Sequence, residues 1–289
     1  MLDVTVVILT KNEAQNLPDC VRSLADFAKR VVVVDSGSTD ETVKVARSMG
    51  ADVYEHPFEN YACQFNWALD HAQITTKWSM RLDADERLTP ALCRELEALA
   101  LAHADDDVNG ISMEAWLYFM GKIIRHGCHN KRKIMLFKTG IGRIEDRRMD
   151  EHTVLSHGTS VYTKERFIHL DQHDLSYWTR KMNWYATREM QDYIEFVQGK
   201  AASADKHSGD TAINAQRRKK FGFYYKAPMF LRCKLLFLYY YIFRLGFLDG
   251  KAGYVYNYLY HCWYRTLVDA KIMEQLQTNA PFEKTGDLK

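Results

Sequence analysis

Asp83 and Asp85 flank Ala84 in the stretch RLDADERL (81–88), directly after the apolar-aromatic segment Trp78-Ser79-Met80. Two carboxylates two residues apart in an extended segment face the same way. Hard oxygen ligands in a short turn suit Mg²⁺ or Mn²⁺, which keep waters and take phosphate oxygens as further ligands. A divalent ion there would neutralise a leaving diphosphate, which is Lewis-acid catalysis. A D-x-D pattern is short and common, and alone it is read more simply as a capped turn. Its surroundings decide.

Those surroundings alternate between strand and helix. VTVVILT (4–10) and RVVVVDSGSTD (30–40) are β-branched runs that end in small and polar residues. Continuous apolar strands of this kind suit a parallel sheet buried on both faces. Between them, NEAQNLPDCVRSLADFA has helical spacing, with Leu17, Val21 and Leu24 on one side. Ser38-Thr39-Asp40-Glu41 starts a second helix, TVKVARSMG, which a glycine terminates. ADVYEHP reads as a third strand, ENYACQFNWALDHAQ as a helix, and KWSMRLDADE as a fourth strand and turn. TPALCRELEALALA is the next helix, with Pro90 at its start.

This alternation predicts an α/β fold with a doubly wound sheet, whose ligands bind at the carboxyl ends of the strands. Thr10-Lys11-Asn12-Glu13, Asp35-Ser36-Gly37-Ser38 and Asp83-Ala84-Asp85 all follow strands, so they converge on one rim. Beyond residue 105 the pattern loosens. ISMEAWLYFMGKIIRHG and KRKIMLFKTG form a hairpin or two paired strands, RIEDRRMDEHTVLSHG leads into another strand, and LSYWTRKMNWYATREMQDYIEFVQ is a long helix. GKAASADKHSGD is a polar linker, and there is no internal repeat.

The chain has 289 residues, 47% hydrophobic and 26% charged, ordinary values for a folded protein. Its net charge of +2 does not itself point to nucleic acid. The six cysteines are widely spaced with no C-x-x-C pair, which argues against a disulfide framework or zinc knuckle and fits a reducing cytosol. The apolar run Val4 to Leu9 is short for a signal peptide and has no basic region before it. No uncharged stretch approaches the roughly 20 apolar residues of a membrane span; the longest, Leu235 to Phe243, lies between Lys234 and Arg244.

Taken together, VVILTKNEAQNL, VVVVDSGSTDET, YACQFNWAL, LDADERL and MDEHTVLSHG, in this order through residues 6–158, resemble a family 2 glycosyltransferase with the GT-A fold. LSYWTRKMNWYATRE and GFLDGKAG…VDAKIMEQ resemble a subgroup that builds bacterial lipopolysaccharide core, O-antigen or capsule sugars. The resemblance implies a GT-A catalytic domain over 1–200, with a nucleotide-binding half to about 104 and an acceptor half over 105–200. A helical extension over 201–289 follows. The implied donor is a nucleotide-sugar, a UDP-sugar first, and the implied cofactor Mn²⁺ or Mg²⁺.

The same resemblance assigns roles. Thr10 and Glu13 contact the ribose and base; Glu13 is also read as an acid favoured at a helix N-terminus. Asp35 accepts a hydrogen bond from uracil, or caps the turn before Ser38. Asp83 touches the sugar or ribose, and Asp85 binds the metal. Inverting transfer needs a base for the attacking hydroxyl and no covalent enzyme intermediate. In MDEH (149–152) Glu151 is the first choice and Asp150 the second, because the local order is Asp-Glu-His; a salt bridge to Arg147 or Arg148 is the alternative. His173 is the further metal-ligand candidate, with His169 and Asp171 nearby. Gln64 and Asn66 line the donor pocket or form a polar helix face. His126, Cys128 and His129 lack the second ligand cluster of a zinc site.

Residues 211–248 hold no Asp or Glu but eight Lys and Arg, among them Arg217, Arg218, Lys219 and Lys220, interleaved with aromatics. Aromatics and cations together suit the headgroup layer of an anionic bilayer. This predicts a helix or helical pair lying on the cytoplasmic face of the inner membrane as a peripheral protein, bringing the site to the lipid-linked glycan or lipopolysaccharide core acceptor that the resemblance implies. A helix packed on the core or on a second subunit, giving a homo-oligomer, is the alternative. No RNP, KH or other nucleic-acid signature accompanies the charge. A sugar nucleotidyltransferase would carry a glycine-rich phosphate loop, and LTKNEAQNL has no glycine. A carbohydrate- or membrane-binding scaffold on this fold is the non-enzyme alternative.

Overall fold

A computed structural model describes residues 1–128, 132–145, 152–197 and 224–278. They fall into two compact units: Met1–Tyr118 with His129–Gln172, and Phe119–Cys128 with His173–Lys289.

The first unit is built on a sheet of β1 (Leu2–Thr10), β2 (Ala28–Asp35), β3 (Asp52–Glu55), β4 (Trp78–Asp83), β5 (Glu86–Arg87), β6 (Val108–Phe119), β8 (Lys133–Lys138) and β11 (Thr159–His169). Their order is β3-β2-β1-β4-β8-β6-β11-β5. The first four run parallel, as the strand–helix alternation predicts. β8 is antiparallel to both β4 and β6, and β6 and β11 are parallel. A short hairpin of β9 (Gly142–Ile144) and β10 (Thr153–Leu155) lies off the main sheet. This is a Rossmann-like, mostly parallel arrangement, of the α/β class that the strand–helix alternation predicts.

Both faces of the parallel half are covered, which is why the middles of its two central strands, Val6–Leu9 and Val31–Val34, are continuously apolar. Along β1, Val4, Val6 and Ile8 pack with Leu17, Cys20 and Val21 of α1 (Leu17–Arg22) and with Leu92 and Leu96 of α4 (Pro90–Ala102). Val7, Val32 and Val34 point the other way, onto Ala62, Phe65 and Ala68 of α3 (Tyr61–His71). The helices start where their sequences say: Asn60 accepts the Cys63 N–H and Thr89 the Leu92 N–H, with Pro90 following. The helix α2 (Thr42–Ser48) ends at Gly50, whose φ of +81° suits glycine.

The second unit contains β7 (Lys122–Ile124), α5 (Leu175–Val197), α6 (Leu231–Leu238), α7 (Gly250–Asn257) and α8 (Tyr264–Thr278). Wider π-helical turns, Tyr239–Phe243 and Tyr258–Trp263, follow α6 and join α7 to α8. Met182, Ala186, Met190 and Ile194, four apart on α5, pack with Tyr264, Val268 and Ile272 on α8. This shared core groups α5 with the C-terminal helices. Residues 119–128 also join this unit. Buried among these helices, Glu189 accepts from Tyr225 Oη (2.8 Å), Tyr264 Oη (2.6 Å) and Arg265 (2.6 Å), and Arg232 pairs with Asp269.

Candidate active site

The chain passes from β1 to β2 and β3 on one side, then returns to place β4 on the other side of β1. The order reverses there, and in open sheets of this kind such a switch point marks the ligand crevice at the carboxyl ends of the strands. Register sets the residues around it: Thr10 lies opposite Asp35, and Leu9 opposite Asp83.

The loops after β1 and β2 are tied to each other. Asp35 is buried, and its two oxygens accept four hydrogen bonds: Thr10 Oγ1 (2.8 Å) and Ser38 Oγ (2.5 Å) on Oδ1, the Gly37 N–H (2.9 Å) and Ser38 N–H (2.7 Å) on Oδ2. That is a carboxylate's full acceptor capacity, so Asp35 shapes the turn, the second of the two roles expected for it. Lys11 Nζ donates to the carbonyls of Ser36 and Gly37, and Asn12, at φ +57°, accepts the Thr39 N–H. The Glu13 N–H donates to Thr42 Oγ1, while its carboxylate accepts from Asn16. Buried Asn16 also donates to Asp171 (3.2 Å) and accepts the Gln172 N–H (2.8 Å), so it joins this loop to the segment after β11.

Across the crevice, Ala84 and Asp85 form the turn between β4 and β5. Asp83 Oδ1 accepts from Tyr61 Oη (3.0 Å), and the Asp83 N–H donates to Glu86 (3.0 Å). Burial holds the Tyr61 phenol well above its ordinary range, so it stays a donor. Three carboxylates, Asp83, Asp85 and Glu86, crowd one turn. Burial, followed by the charge of Asp83, pushes Glu86 up to about 7. β5 pairs with the end of β11, Glu86 opposite His169, and this brings His169 Nε2 to 3.1 Å from Asp85 Oδ2. The Leu170 N–H closes the contact on the Asp85 carbonyl (2.9 Å).

His169 is therefore the histidine that the structure sets beside Asp85. His173 belongs to the second unit, stacked on Tyr177 with ring centres 3.9 Å apart. The sequence offers His169 only as a neighbour of His173, because the β5–β11 pairing joins residues over 80 apart, which no local pattern reports. Among the described residues no three His, Cys, Asp or Glu side chains surround one point as a complete metal shell. Asp85 and His169 supply an oxygen and an imidazole nitrogen in a turn with excess negative charge. Mg²⁺ and Mn²⁺ take their remaining ligands from water and phosphate, so the donor set fits such an ion.

Two other candidates have their polar ends engaged within the fold. Gln64 is buried and bonded to His56 twice, through its ring (2.7 Å) and its carbonyl (2.9 Å). Asn66 accepts the Ile144 N–H (3.0 Å) and donates to the Ile144 carbonyl (2.8 Å), which fastens β9 to α3. Neither faces the crevice through those groups. Asn66 instead holds the hairpin that flanks residues 146–151, closed at its base by the Glu145 N–H and the His152 carbonyl. Asp150 and Glu151 themselves lie outside the described residues, as do His129 and Arg217–Lys220. His126 is bonded to Asp249 through its ring (3.1 Å) and its N–H (2.8 Å), and Cys128 is buried beside the Ile124 carbonyl.

Residues 5–168, more than half of the chain, match the family described as glycosyl transferase family 2. The chain belongs to that family. Among family relatives, an uncharacterized glycosyltransferase of Rickettsia prowazekii is 30% identical over 121 residues, covering 42% of this chain and 41% of its own. The lipopolysaccharide core biosynthesis glycosyltransferase LpsC of Rhizobium meliloti is 35% identical over 151 residues, 50% of this chain and 54% of its own. This glycosyltransferase thus matches about half the length of these relatives or less. Among solved structures, the glucosyl-3-phosphoglycerate synthase of Mycobacterium tuberculosis, in complex with Mn²⁺, UDP and glucosyl-3-phosphoglycerate, is 20% identical over 40% of this chain and 44% of its own. Its TM-score is 0.32, too low to bear on the site.

Proposed function

We propose that this family 2 glycosyltransferase moves a hexosyl group from a UDP-sugar to a hydroxyl of a lipid-linked glycan or lipopolysaccharide core, with inversion at the anomeric carbon. The observation that carries the reading is the meeting of the Thr10–Asp35 loop with the Asp83–Asp85–His169 turn where the strand order reverses. The acceptor class is supported by the similarity to LpsC, a lipopolysaccharide core biosynthesis glycosyltransferase.

In this reading the loop of Thr10, Lys11 and Glu13 cradles the nucleoside. Asp35 holds the loop's shape; contact with uracil would require one of its four hydrogen bonds to give way. Asp83, oriented by Tyr61, meets the ribose or the donor sugar. Asp85 and His169 would hold a Mn²⁺ or Mg²⁺ ion, which when bound supplies Lewis-acid stabilisation of the departing diphosphate. Glu151, with Asp150 as the second choice, takes the proton from the acceptor hydroxyl as that oxygen attacks.

The test is titration of the protein with UDP, UDP-glucose, UDP-galactose and GDP-mannose, with and without Mn²⁺, for wild type and Asp85→Ala. Metal-dependent UDP binding that disappears in Asp85→Ala is expected. If no nucleotide binds under either condition, the scaffold reading replaces this one. For the base, Glu151→Gln is expected to lower kcat by ~10²–10⁴ while UDP affinity stays the same. If Asp150→Asn shows that loss and Glu151→Gln does not, the roles are exchanged.

A further inference from the structure

We propose that the second unit docks on an anionic lipid surface through the face built by α6, the wide turn after it, and α7. This goes beyond the proposed transfer reaction and does not depend on it.

The inward side of α6 and its wide turn is closed by Arg232, Cys233 and Tyr240, all buried. Helical spacing then sends Leu231, Leu235, Leu238, Ile242 and Phe243 outward, and these are 43–76% exposed. Polar residues are the usual occupants of an outward helix face, and here it is as apolar as a core face. More than half of the large apolar side chains open to solvent among the described residues fall between Leu231 and Tyr258. Leu231, Leu235, Leu238 and Ile242 follow one another at helical spacing, and beside them an aromatic cluster joins α6 to α7. Phe237 stacks on Tyr241 (5.3 Å between ring centres) and meets Tyr254 and Tyr258 edge-on (6.2 and 5.9 Å). Tyr254 and Tyr258 remain 47% and 44% exposed. A contiguous patch of this kind marks an interaction surface.

Charge selects the partner. Lys226, Lys234, Arg244 and Lys251 are exposed around the patch. The one acid between residues 224 and 268 is Asp249, and its carboxylate receives the Arg125 N–H, the His126 N–H and the His126 ring. An apolar, Tyr- and Phe-rich face ringed by cations and without free acids matches the boundary between acyl chains and anionic headgroups. Tyrosine rings suit that boundary because the ring is apolar and the hydroxyl stays in the wet layer. No helix among the described residues is long and apolar enough to cross a membrane. The face would therefore lie in the interface plane. Its helices are already packed in the protein, so docking needs no coupled folding.

Co-sedimentation of the full chain with vesicles tests this. Wild type is expected to pellet with vesicles containing phosphatidylglycerol, less so in high salt, and poorly with phosphatidylcholine alone. Leu235→Ser combined with Phe243→Ser, both outside the core of this unit, is expected to weaken partitioning at least ~10-fold with an unchanged circular dichroism spectrum. Lys234→Glu with Arg244→Glu is expected to remove the preference for phosphatidylglycerol. As a check that does not depend on the double variants folding, Phe243→Trp is expected to add a blue-shifted fluorescence component when anionic vesicles are added. Failure of wild type to pellet, absence of that shift, or full binding by the folded serine variant would each overturn the proposal. So would light scattering that shows a wild-type dimer dissociated by the serine pair, which would make the face a contact between copies.

Discussion

At the scale of single residues, Asp85 and Asp35 show how identical side chains acquire different work. Asp35 receives four hydrogen bonds from its own turn and its neighbour strand, so the loop's shape depends on it. Asp85 has its carboxylate against an imidazole at the end of β11, in a turn already crowded with negative charge. Such a pair is suited to a cation, since a carboxylate with the wrong neighbours is costly to bury and an ion relieves that cost. His169→Ala is therefore expected to weaken Mn²⁺ binding by at least ~10-fold, and His173→Ala to leave it unchanged, in a calorimetric titration. The reverse result would return the ligand role to His173.

At the scale of elements, the hairpin of β9 and β10 is held to α3 by two devices of unequal strength. Asn66 pairs with both backbone groups of Ile144, a residue 2% exposed. Arg143 pairs with Asp70 through two contacts of 2.9 and 2.6 Å, but both side chains are about half exposed. Asn66→Ala leaves a buried N–H and carbonyl unsatisfied and is expected to cost about 1–3 kcal/mol in urea melts, with faster exchange of the Ile144 amide. Asp70→Asn is expected to cost under ~1 kcal/mol, since water and salt screen an exposed pair. The Arg143 guanidinium holds the Asp70 carboxyl below its ordinary 3.8. The unfolded chain thus binds the proton more readily, and the pair's contribution is complete above that value and lost as pH falls through the lower, folded one. Melts of wild type and Asp70→Asn are expected to converge at acid pH.

At the scale of the molecule, the two units are stabilised by different means. The first relies on a sheet with apolar cover on both faces. The second threads ions through its core: Arg232 and Asp269 are both 1% exposed, and Asp269 also accepts the N–H of Phe230, a residue at φ +62°. A buried pair is not intrinsically more stable than an apolar one, but removing one partner strands the other charge. Asp269→Asn is expected to destabilise the second unit by about 3–5 kcal/mol in a denaturant melt. A loss under ~1 kcal/mol would mean that water reaches the arginine.

Local chemistry was sufficient to read the alternating strands and helices, Pro90 at the start of α4, the glycine stop at Gly50 and the rim shared by Thr10, Asp35 and Asp83. Each rests on spacing within a few residues, or on the rule that parallel strands end together. What lay beyond the sequence was set by contacts between distant segments. The pairing of β5 with β11 set His169 beside Asp85, a contact between segments over 80 residues apart. Gln64 and Asn66 read as pocket residues because polar side chains on a helix look alike until their partners, His56 and Ile144, are in place. The apolar stripe of α5 is legible as a stripe but carries no address; only packing showed that it meets α8. Periodicity tells a segment which side to bury, and tertiary structure decides against what.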